Sequence, residues 1–390
     1  MIPAGFAAQG LASGIKASGA DDLALVATVS RRPVEAAAVF TRNLAAAAPV
    51  VVSRRHLAAS GGRCGAVIMN SGCANAATGR AGVAAAEATA AVTARELGLA
   101  PEEVLVCSTG LIGHELPLER ITAAVPELCS GLERSDEALV QAARAIMTTD
   151  TREKLAACPL EGSPGSTVAG IGKGAAMLAP DMATMLAVVL TDASVPAPLL
   201  QRALGQAVES TFNRLSIDGC TSTNDTVVAL ASGESGRPTG EVELVRALTE
   251  VCASLAHQMA ADAEGGTKVV HVVVTGAATD AEALRAARKV ADASLVKCSW
   301  YGGDPNWGRV LSEVCTAGVR VDPDRVELSY GPHVVFAEGE PVASDEAALR
   351  AYLAQPEFEV RADLHVGTGK GEILSADLTH GYVDENMGLS

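Results

Sequence analysis

The sequence predicts a layered protein of the α/β or α+β class. Segments with helical periodicity alternate along the chain with short Val-rich segments that are flanked by Gly, Pro or Asp. Of the 390 residues, 48% are hydrophobic and 19% are charged, so the chain has enough apolar material for a buried core. Aromatic residues make up only 3% and Gly reaches 38, which indicates cores of small aliphatic side chains in closely approaching layers.

The elements follow from local composition. Ala-rich stretches with charges at helical spacing predict helices over 82–99, 136–147 and 281–292. Val-rich runs predict strands over 49–52, 104–107, 184–190, 268–274 and 334–337. Turn-rich segments predict surface loops over 231–240 and 339–343. No internal repeat or linker composition marks a domain boundary.

The charge pattern excludes several partners. Thirty Lys and Arg residues oppose forty-six Asp and Glu residues, and no basic run exceeds two residues, which disfavours nucleic acid. The most apolar stretch, 174–190, is interrupted by Pro180 and Asp181 and is shorter than the roughly 20 residues that cross a bilayer. The N-terminus lacks the pattern of a signal peptide. We expect a cytoplasmic protein without nucleic-acid or membrane partners.

Cysteine and histidine spacing indicates neither disulfides nor a metal site. The nine Cys residues are scattered, odd in number and never form a CxxC pair, which is typical of reduced thiols. None of the seven His residues stands beside Cys or Asp at a metal or catalytic-triad spacing. We therefore expect no metal and no organic cofactor.

Two Gly-rich runs resemble phosphate loops only superficially. A Walker loop around Lys173 needs a Gly where Thr167 stands and a hydroxyl residue where Gly174 stands. The run over 367–371 lacks both features and predicts a Gly-rich turn.

Thr184 opens a predicted strand directly after the small residue Ala183. One interpretation is an ordinary strand residue. The other is a nucleophile, because scission of the preceding bond would give Thr184 an α-amino group beside its own hydroxyl, with a pKa near 8. Before scission the same hydroxyl oxygen could attack the Ala183 carbonyl in an N-to-O acyl shift. Composition alone leaves both interpretations open.

The run KGAAMLAPDMATML over 173–186 resembles the self-cleavage segment of the arginine-biosynthetic ornithine acetyltransferases, also called glutamate N-acetyltransferases. Similar blocks in the same order cover nearly the whole chain. They lie at 5–16, 38–43 (AVFTRN), 70–75 (NSGCAN), 108–113 (STGLIG), 146–151 (IMTTDT), 212–219 (FNRLSIDG), 221–226 (TSTNDT), 264–268 (EGGTK) and 304–309 (DPNWGR).

The resemblance implies an α+β fold, a layered helix/sheet sandwich of the N-terminal-nucleophile-like ornithine acetyltransferase type with a smaller second domain. It implies self-cleavage between Ala183 and Thr184, giving an α chain of residues 1–183 and a β chain of residues 184–390. The β chain would begin with the nucleophile and include the smaller C-terminal domain. The implied assembly is an (αβ)₂ heterotetramer.

The resemblance also assigns roles to individual residues. Thr184 would be the nucleophile, and the N–H groups of Thr109 and Gly110 would form the oxyanion hole. The residues implied to contact substrate are Thr148, Lys173, Thr184, Glu264, Asn386 and Ser390. One residue is missing between Asn386 and Ser390 relative to the family pattern. Residues 224–225 and 304–306 match family blocks, but we assign them only to turns.

The implied reaction transfers the acetyl group of N-acetylornithine to glutamate through an acetyl-threonine, with ping-pong kinetics. Acetyl-CoA is a further donor in some members. Three alternatives remain open: an N-terminal-nucleophile aminopeptidase or amidohydrolase with water as acceptor, a paralogue in a secondary-metabolite pathway, and a non-catalytic binding protein that kept the fold.

Overall fold

A computed structural model of the chain describes residues 2–177 and 185–387. The chain folds into two compact units. The larger unit contains Met1–Asn213 and Cys220–Met259, and the smaller unit contains Arg214–Gly219 and Ala260–Ser390.

The larger unit is built from ten strands and six helices within the described residues. Its strands are β1 (Phe6–Leu11), β2 (Leu23–Thr28), β3 (Val34–Phe40), β4 (Arg63–Cys64), β5 (Ala66–Asn70), β6 (Val104–Ser108), β7 (Lys154–Pro159), β8 (Thr167–Lys173), β9 (Leu186–Thr191) and β10 (Thr226–Ala231). Its helices are α1 (Ala48–Ala59), α2 (Gly79–Leu97), α3 (Leu118–Ser130), α4 (Asp136–Ala145), α5 (Ala197–Ser210) and α6 (Glu241–Ala261).

Two sheets face each other at the centre of the larger unit. One has the strand order β1-β2-β5-β6 and the other the order β4-β3-β10-β9-β8-β7. Their inner faces share a buried cluster to which β5 contributes Val67 and Met69 and β9 contributes Val188 and Leu190. Helix α4 adds small residues such as Ala142 to this cluster.

Helices cover the outer faces of both sheets. The outward residues of β2, β5 and β6 pack against α2 and α3 in a second buried cluster. On the other sheet, a Cβ atom added at Gly170 would approach Val251 and Leu255 of α6 to 3.0 and 3.3 Å. The larger unit is therefore a helix/sheet/sheet/helix sandwich, and the predicted α+β sandwich is confirmed.

The smaller unit has one sheet of order β14-β13-β12-β15-β11-β16. The strands are β11 (Val269–Ala277), β12 (Glu327–Tyr330), β13 (His333–Ala337), β14 (Glu340–Pro341), β15 (Glu357–Asp363) and β16 (Gly369–Ala376). The helices are α7 (Asp280–Ala291), α8 (Ser294–Tyr301), α9 (Trp307–Cys315), α10 (Glu346–Leu353) and α11 (His380–Glu385).

Most predicted elements are confirmed, one predicted strand was wrong, and two predicted turn segments are partly strand. The loop expected over 339–343 contains the two-residue strand β14. The predicted strand over 49–52 is part of α1, in which Pro49, Val52, Ser53 and His56 are buried at helical spacing. A four-residue apolar run does not distinguish a strand from the first turn of a helix, and proline suits that turn. The turn expected over 367–371 runs into β16, where a side chain on Gly371 would lie 2.5 Å from the Leu284 nitrogen of α7.

Within the described residues, no helix has both the length and the hydropathy required to cross a bilayer. All nine cysteines lie in this part of the chain, and no disulfide joins any of them.

A charged triad in the smaller unit gives a stability prediction. The His271 ring on β11 donates from Nδ1 to Glu372 and from Nε2 to Glu357, each at 2.7 Å. The hydrogen bond to Glu372 and then that to Glu357 raise the His271 pKa to about 9. Because the folded-state pKa exceeds the unfolded value, this contribution is complete below about pH 6.5 and is lost as pH rises through 9.

The unfolding temperature of the wild-type protein should therefore fall more steeply between pH 7 and 10 than that of His271→Gln. Subtracting the two curves removes the effects of other groups that titrate in this range, such as Lys297, whose pKa burial lowers to about 8. If the unfolding temperatures of the wild type and of His271→Gln fell in parallel as the pH rises, the triad would not stabilise the fold.

Candidate active site

Lys173 is the last residue of β8 and its side chain is 3% exposed. Its ammonium group donates to the hydroxyl oxygen of Thr148 at 2.6 Å and to that of Thr109 at 3.4 Å. The three residues come from β8, from the loop after α4 and from the turn after β6, so the fold brings together three residues separated in sequence. An ammonium group flanked by two hydroxyls suits an anionic ligand such as a carboxylate.

Asp150 positions the residues around the Lys173 ammonium, and no pattern in the sequence indicated a role for it. Its Oδ1 accepts from the Lys154 ammonium at 2.6 Å and from the Gly174 N–H at 2.7 Å. Its Oδ2 accepts from the Thr148 N–H at 3.1 Å and lies 3.6 Å from the Lys173 ammonium. One carboxylate therefore fixes the loop, the end of β8 and the direction of the Lys173 side chain.

Burial alone would raise the pKa of Asp150, but the ammonium groups of Lys173 and Lys154 outweigh it and hold that pKa well below its usual range. Asp150 is therefore ionised at neutral pH, and Lys173 is held beside a fixed negative charge. A fourth charged group, Lys16, is near enough for the charge of Lys173 to lower its pKa, although burial is the larger cause.

The Thr109–Gly110 turn follows β6 and is fixed from several sides. The Thr109 N–H donates to the Asn70 carbonyl at 3.0 Å, and the Asn224 side chain donates to the carbonyls of Ser108 and Ala74 at 2.8 and 2.6 Å. The oxyanion role expected for the Thr109 N–H thus needs correction, because that N–H is already bonded. The hydroxyl of Thr109 is the group that faces Lys173.

Gly110 has a backbone that only glycine adopts readily. Its φ is +126°, and an added Cβ atom would lie 2.4 Å from the Gly72 carbonyl carbon. Within residues 2–177 and 185–387 its N–H has no hydrogen-bond acceptor. That N–H is available to a ligand, as the oxyanion hypothesis requires.

Gly110→Ala should lower kcat by about 10²-fold or more, because the turn must shift to relieve the clash and its N–H would lose its alignment. Gly113→Ala is the matched control: its φ is also positive, at +82°, but nothing lies within 4 Å of the added carbon. Steady-state kinetics of both folded variants make the comparison. Equal kcat values for the two variants would show that the close approach of the backbone at Gly110 does not affect catalysis.

The smaller unit brings together two other predicted site residues. Glu264, which is 8% exposed, accepts from the Asn386 side-chain amide at 2.7 Å. The same amide nitrogen of Asn386, which follows α11, donates to the Tyr382 carbonyl at 2.8 Å. The C-terminal helix is therefore tied to Glu264.

Three predicted residues lie outside the described part of the chain: Ala183 and Thr184, with the expected cleavage site, and Ser390. The nearest described strand, β9, begins two residues after Thr184. In the antiparallel pair of β8 and β9, Leu186 lies opposite Lys173.

No group of three or more His, Cys, Asp or Glu residues within 2–177 and 185–387 is arranged to hold a metal ion.

Comparison with known proteins identifies the family. A model of the ArgJ family matches residues 7–388 of the chain. The chain belongs to the ArgJ family. Family membership covers both units, and the resemblance found in the sequence blocks is confirmed.

Individual relatives agree with this assignment. The arginine biosynthesis bifunctional protein ArgJ of Mycolicibacterium paratuberculosis is 47% identical over 399 residues, covering 100% of this chain and 95% of its own. The ArgJ of Geobacter sulfurreducens is 43% identical and covers 98% of each chain. A crystal structure of ArgJ from Bacillus halodurans is 38% identical with a TM-score of 0.50, and it covers 51% of this chain and 97% of that solved chain.

Proposed function

We propose that this chain transfers the acetyl group of N-acetylornithine to glutamate through an acetyl ester of Thr184. As a member of the ArgJ family, the chain is an acyltransferase of arginine biosynthesis. The products are ornithine and N-acetylglutamate. The parts of the proposal that go beyond family membership are the nucleophile, the oxyanion donors and the order of the steps.

The observation that carries the proposal is the pairing of Lys173 with Leu186. Thr184, which lies outside the described residues, precedes Leu186 by two positions in the sequence. The hydroxyls of Thr109 and Thr148 contact the same ammonium. An anion-binding group opposite a strand that begins two residues after the predicted nucleophile supports acyl transfer on substrates that carry a carboxylate.

Maturation begins with attack of the Thr184 hydroxyl oxygen on the Ala183 carbonyl. The C–N bond breaks, the Thr184 nitrogen becomes an amine, and water hydrolyses the resulting ester to leave two chains. A solved ArgJ chain of Bacillus halodurans supports this step, because nearly its full length matches only 51% of this chain.

In the transfer reaction the free α-amino group takes the proton of the Thr184 hydroxyl as the oxygen attacks the acetyl carbonyl. The Gly110 N–H and the Thr109 hydroxyl stabilise the oxyanion, and ornithine leaves with the proton. The amine of glutamate then attacks the ester and regenerates the hydroxyl. Lys173 pairs with the substrate carboxylate. Substrate contacts by Glu264, Asn386 and Ser390 stay predictions.

We extend the proposal to an (αβ)₂ assembly and a cytoplasmic location. Nine cysteines without a disulfide support a reducing compartment.

Measuring both products separates this function from its competitors. Purified protein with N-acetylornithine should release ornithine slowly alone and much faster with glutamate, with one N-acetylglutamate formed per ornithine. Ornithine release that glutamate does not accelerate would indicate an amidohydrolase instead. Replacing N-acetylornithine by acetyl-CoA in the same assay tests the second donor.

A further inference from the structure

The Thr109–Gly110 turn is held by a side chain from a distant part of the sequence. Asn224 lies in the loop before β10, is 5% exposed, and was expected to serve only in a turn. Its side-chain amide nitrogen donates to the Ser108 carbonyl at 2.8 Å and to the Ala74 carbonyl at 2.6 Å. The two hydrogens of one buried amide are therefore used on two separate backbone segments.

The contact with Ser108 completes the fixing of one peptide group in the turn. The carbonyl of that group accepts from Asn224, and its N–H, which belongs to Thr109, donates to the Asn70 carbonyl at 3.0 Å. Because a peptide group is planar, holding both of its polar atoms fixes its orientation. Only the two backbone dihedral angles of Thr109 then separate this fixed group from the N–H of Gly110.

The contact with Ala74 acts on the chain at the other side of Gly110. The Ala74 N–H donates to the Leu111 carbonyl at 3.0 Å, so Ala74 joins the Asn224 amide to the residue that follows Gly110. One side chain thus holds the backbone before Thr109 directly and the backbone after Gly110 through one intermediate residue.

Asn224 is itself fixed in place. Its side-chain oxygen accepts from the Thr223 hydroxyl at 2.6 Å, and its N–H donates to the Ser222 hydroxyl at 3.0 Å. Its carbonyl accepts from the Thr226 hydroxyl at 3.0 Å. Every polar group of Asn224 therefore has a partner, and its amide is ordered before any ligand binds.

We propose that Asn224 is a positioning residue of acetyl transfer, which aligns the Gly110 N–H with the oxyanion of the reaction. This inference rests on the proposed function. The Gly110 N–H has no acceptor among the residues that the structure describes, so the backbone around it sets its direction. An oxyanion donor must point at the place where charge develops, and losing one such donor lowers turnover by about 10²–10³-fold.

Steady-state kinetics of Asn224→Asp test the inference. Aspartate has nearly the same shape, but its carboxyl can donate to at most one of the two carbonyls, and only when protonated. We expect kcat for glutamate-dependent ornithine release, expressed per cleaved chain, to fall by about 10- to 100-fold. The KM for N-acetylornithine should change by less than about twofold, because the lost interaction acts in the transition state.

Asn75→Asp is the matched control. Asn75 is 0% exposed, and its side-chain amide donates to the Gly82 carbonyl in the first turn of α2 at 2.9 Å. This variant also loses a buried amide donor, but it should keep the wild-type kcat.

A double variant separates positioning from a general structural role. If Asn224 acts through Gly110, the two losses overlap, so adding Asn224→Asp to Gly110→Ala should lower kcat by less than about threefold more. A structural role that is independent of Gly110 would give the full loss in both backgrounds, and the two effects would multiply.

Wild-type kcat in folded Asn224→Asp, or losses that multiply in the double variant, would overturn the inference and leave the proposed function intact. Unfolding temperatures show which variants are folded. If Asn224→Asp is not, Asn224→Ala takes its place, since it removes both donors without adding a charge. Failure of both to fold would also overturn the inference, because the fold itself would then need the residue. Wild-type protein whose ornithine release does not respond to glutamate contradicts the proposed function instead.

Discussion

Thr184→Ala is expected to remain one uncut chain of 39.5 kDa and to form no N-acetylglutamate. The variant lacks the oxygen that attacks the Ala183 carbonyl in maturation and the acetyl group in transfer. Loss of a nucleophile of this kind lowers turnover by about 10⁴-fold or more. Denaturing gels measure the cleavage, and the appearance of N-acetylglutamate measures the transfer.

Thr191→Ala provides the control for the loss of a threonine. Thr191 ends β9, is 2% exposed, and its hydroxyl oxygen accepts from the Ala193 N–H at 3.2 Å. This variant should be cut and active, with at most a loss of stability. Wild-type turnover by Thr184→Ala would contradict the mechanism.

Asp150→Asn is expected to destabilise the larger unit by about 3–5 kcal/mol, because it removes the carboxylate that compensates two buried ammonium groups. Lys154 is 0% exposed and Lys173 is 3% exposed, so water cannot replace the lost charge. The change also releases the Thr148 loop and the Lys173 side chain. We expect a lower urea midpoint and, for protein that remains folded, a higher KM for N-acetylornithine.

Glu153→Gln is the matched control on the same loop. Glu153 pairs with Arg144 at 2.9 Å, but both side chains are partly exposed, at 31% and 57%. Such surface pairs contribute about 1 kcal/mol at most. Equal urea midpoints for the two variants would show that the Asp150 cluster does not organise the site.

The sandwich was predictable because its elements carry strong local patterns. The Ala-rich helix α2 and the Val-rich strand β6 were both expected from composition, and they form within about three residues of the predicted bounds. Segment 49–52 was not predictable in the same way, because a run of four apolar residues is compatible with both the helical and the strand periodicity. Its helical character depends on the residues that follow, through His56.

The site was predictable only in part. Family blocks pointed to Thr109, Thr148 and Lys173, and the structure brings these three together. Asp150 lies in the same sequence block as Thr148, but no sequence pattern indicated a role for it. Its role depends on four contacts that form only when the loop and the ends of β7 and β8 come together.

Intact-mass spectrometry after brief mixing with N-acetylornithine shows whether Thr184 becomes acetylated. We expect two polypeptides, residues 1–183 and 184–390, with about 42 Da added to the second at Thr184. Glutamate should remove that added mass. A single uncut chain that still transfers acetyl groups, or an acetyl group on any residue other than Thr184, would contradict the proposed mechanism.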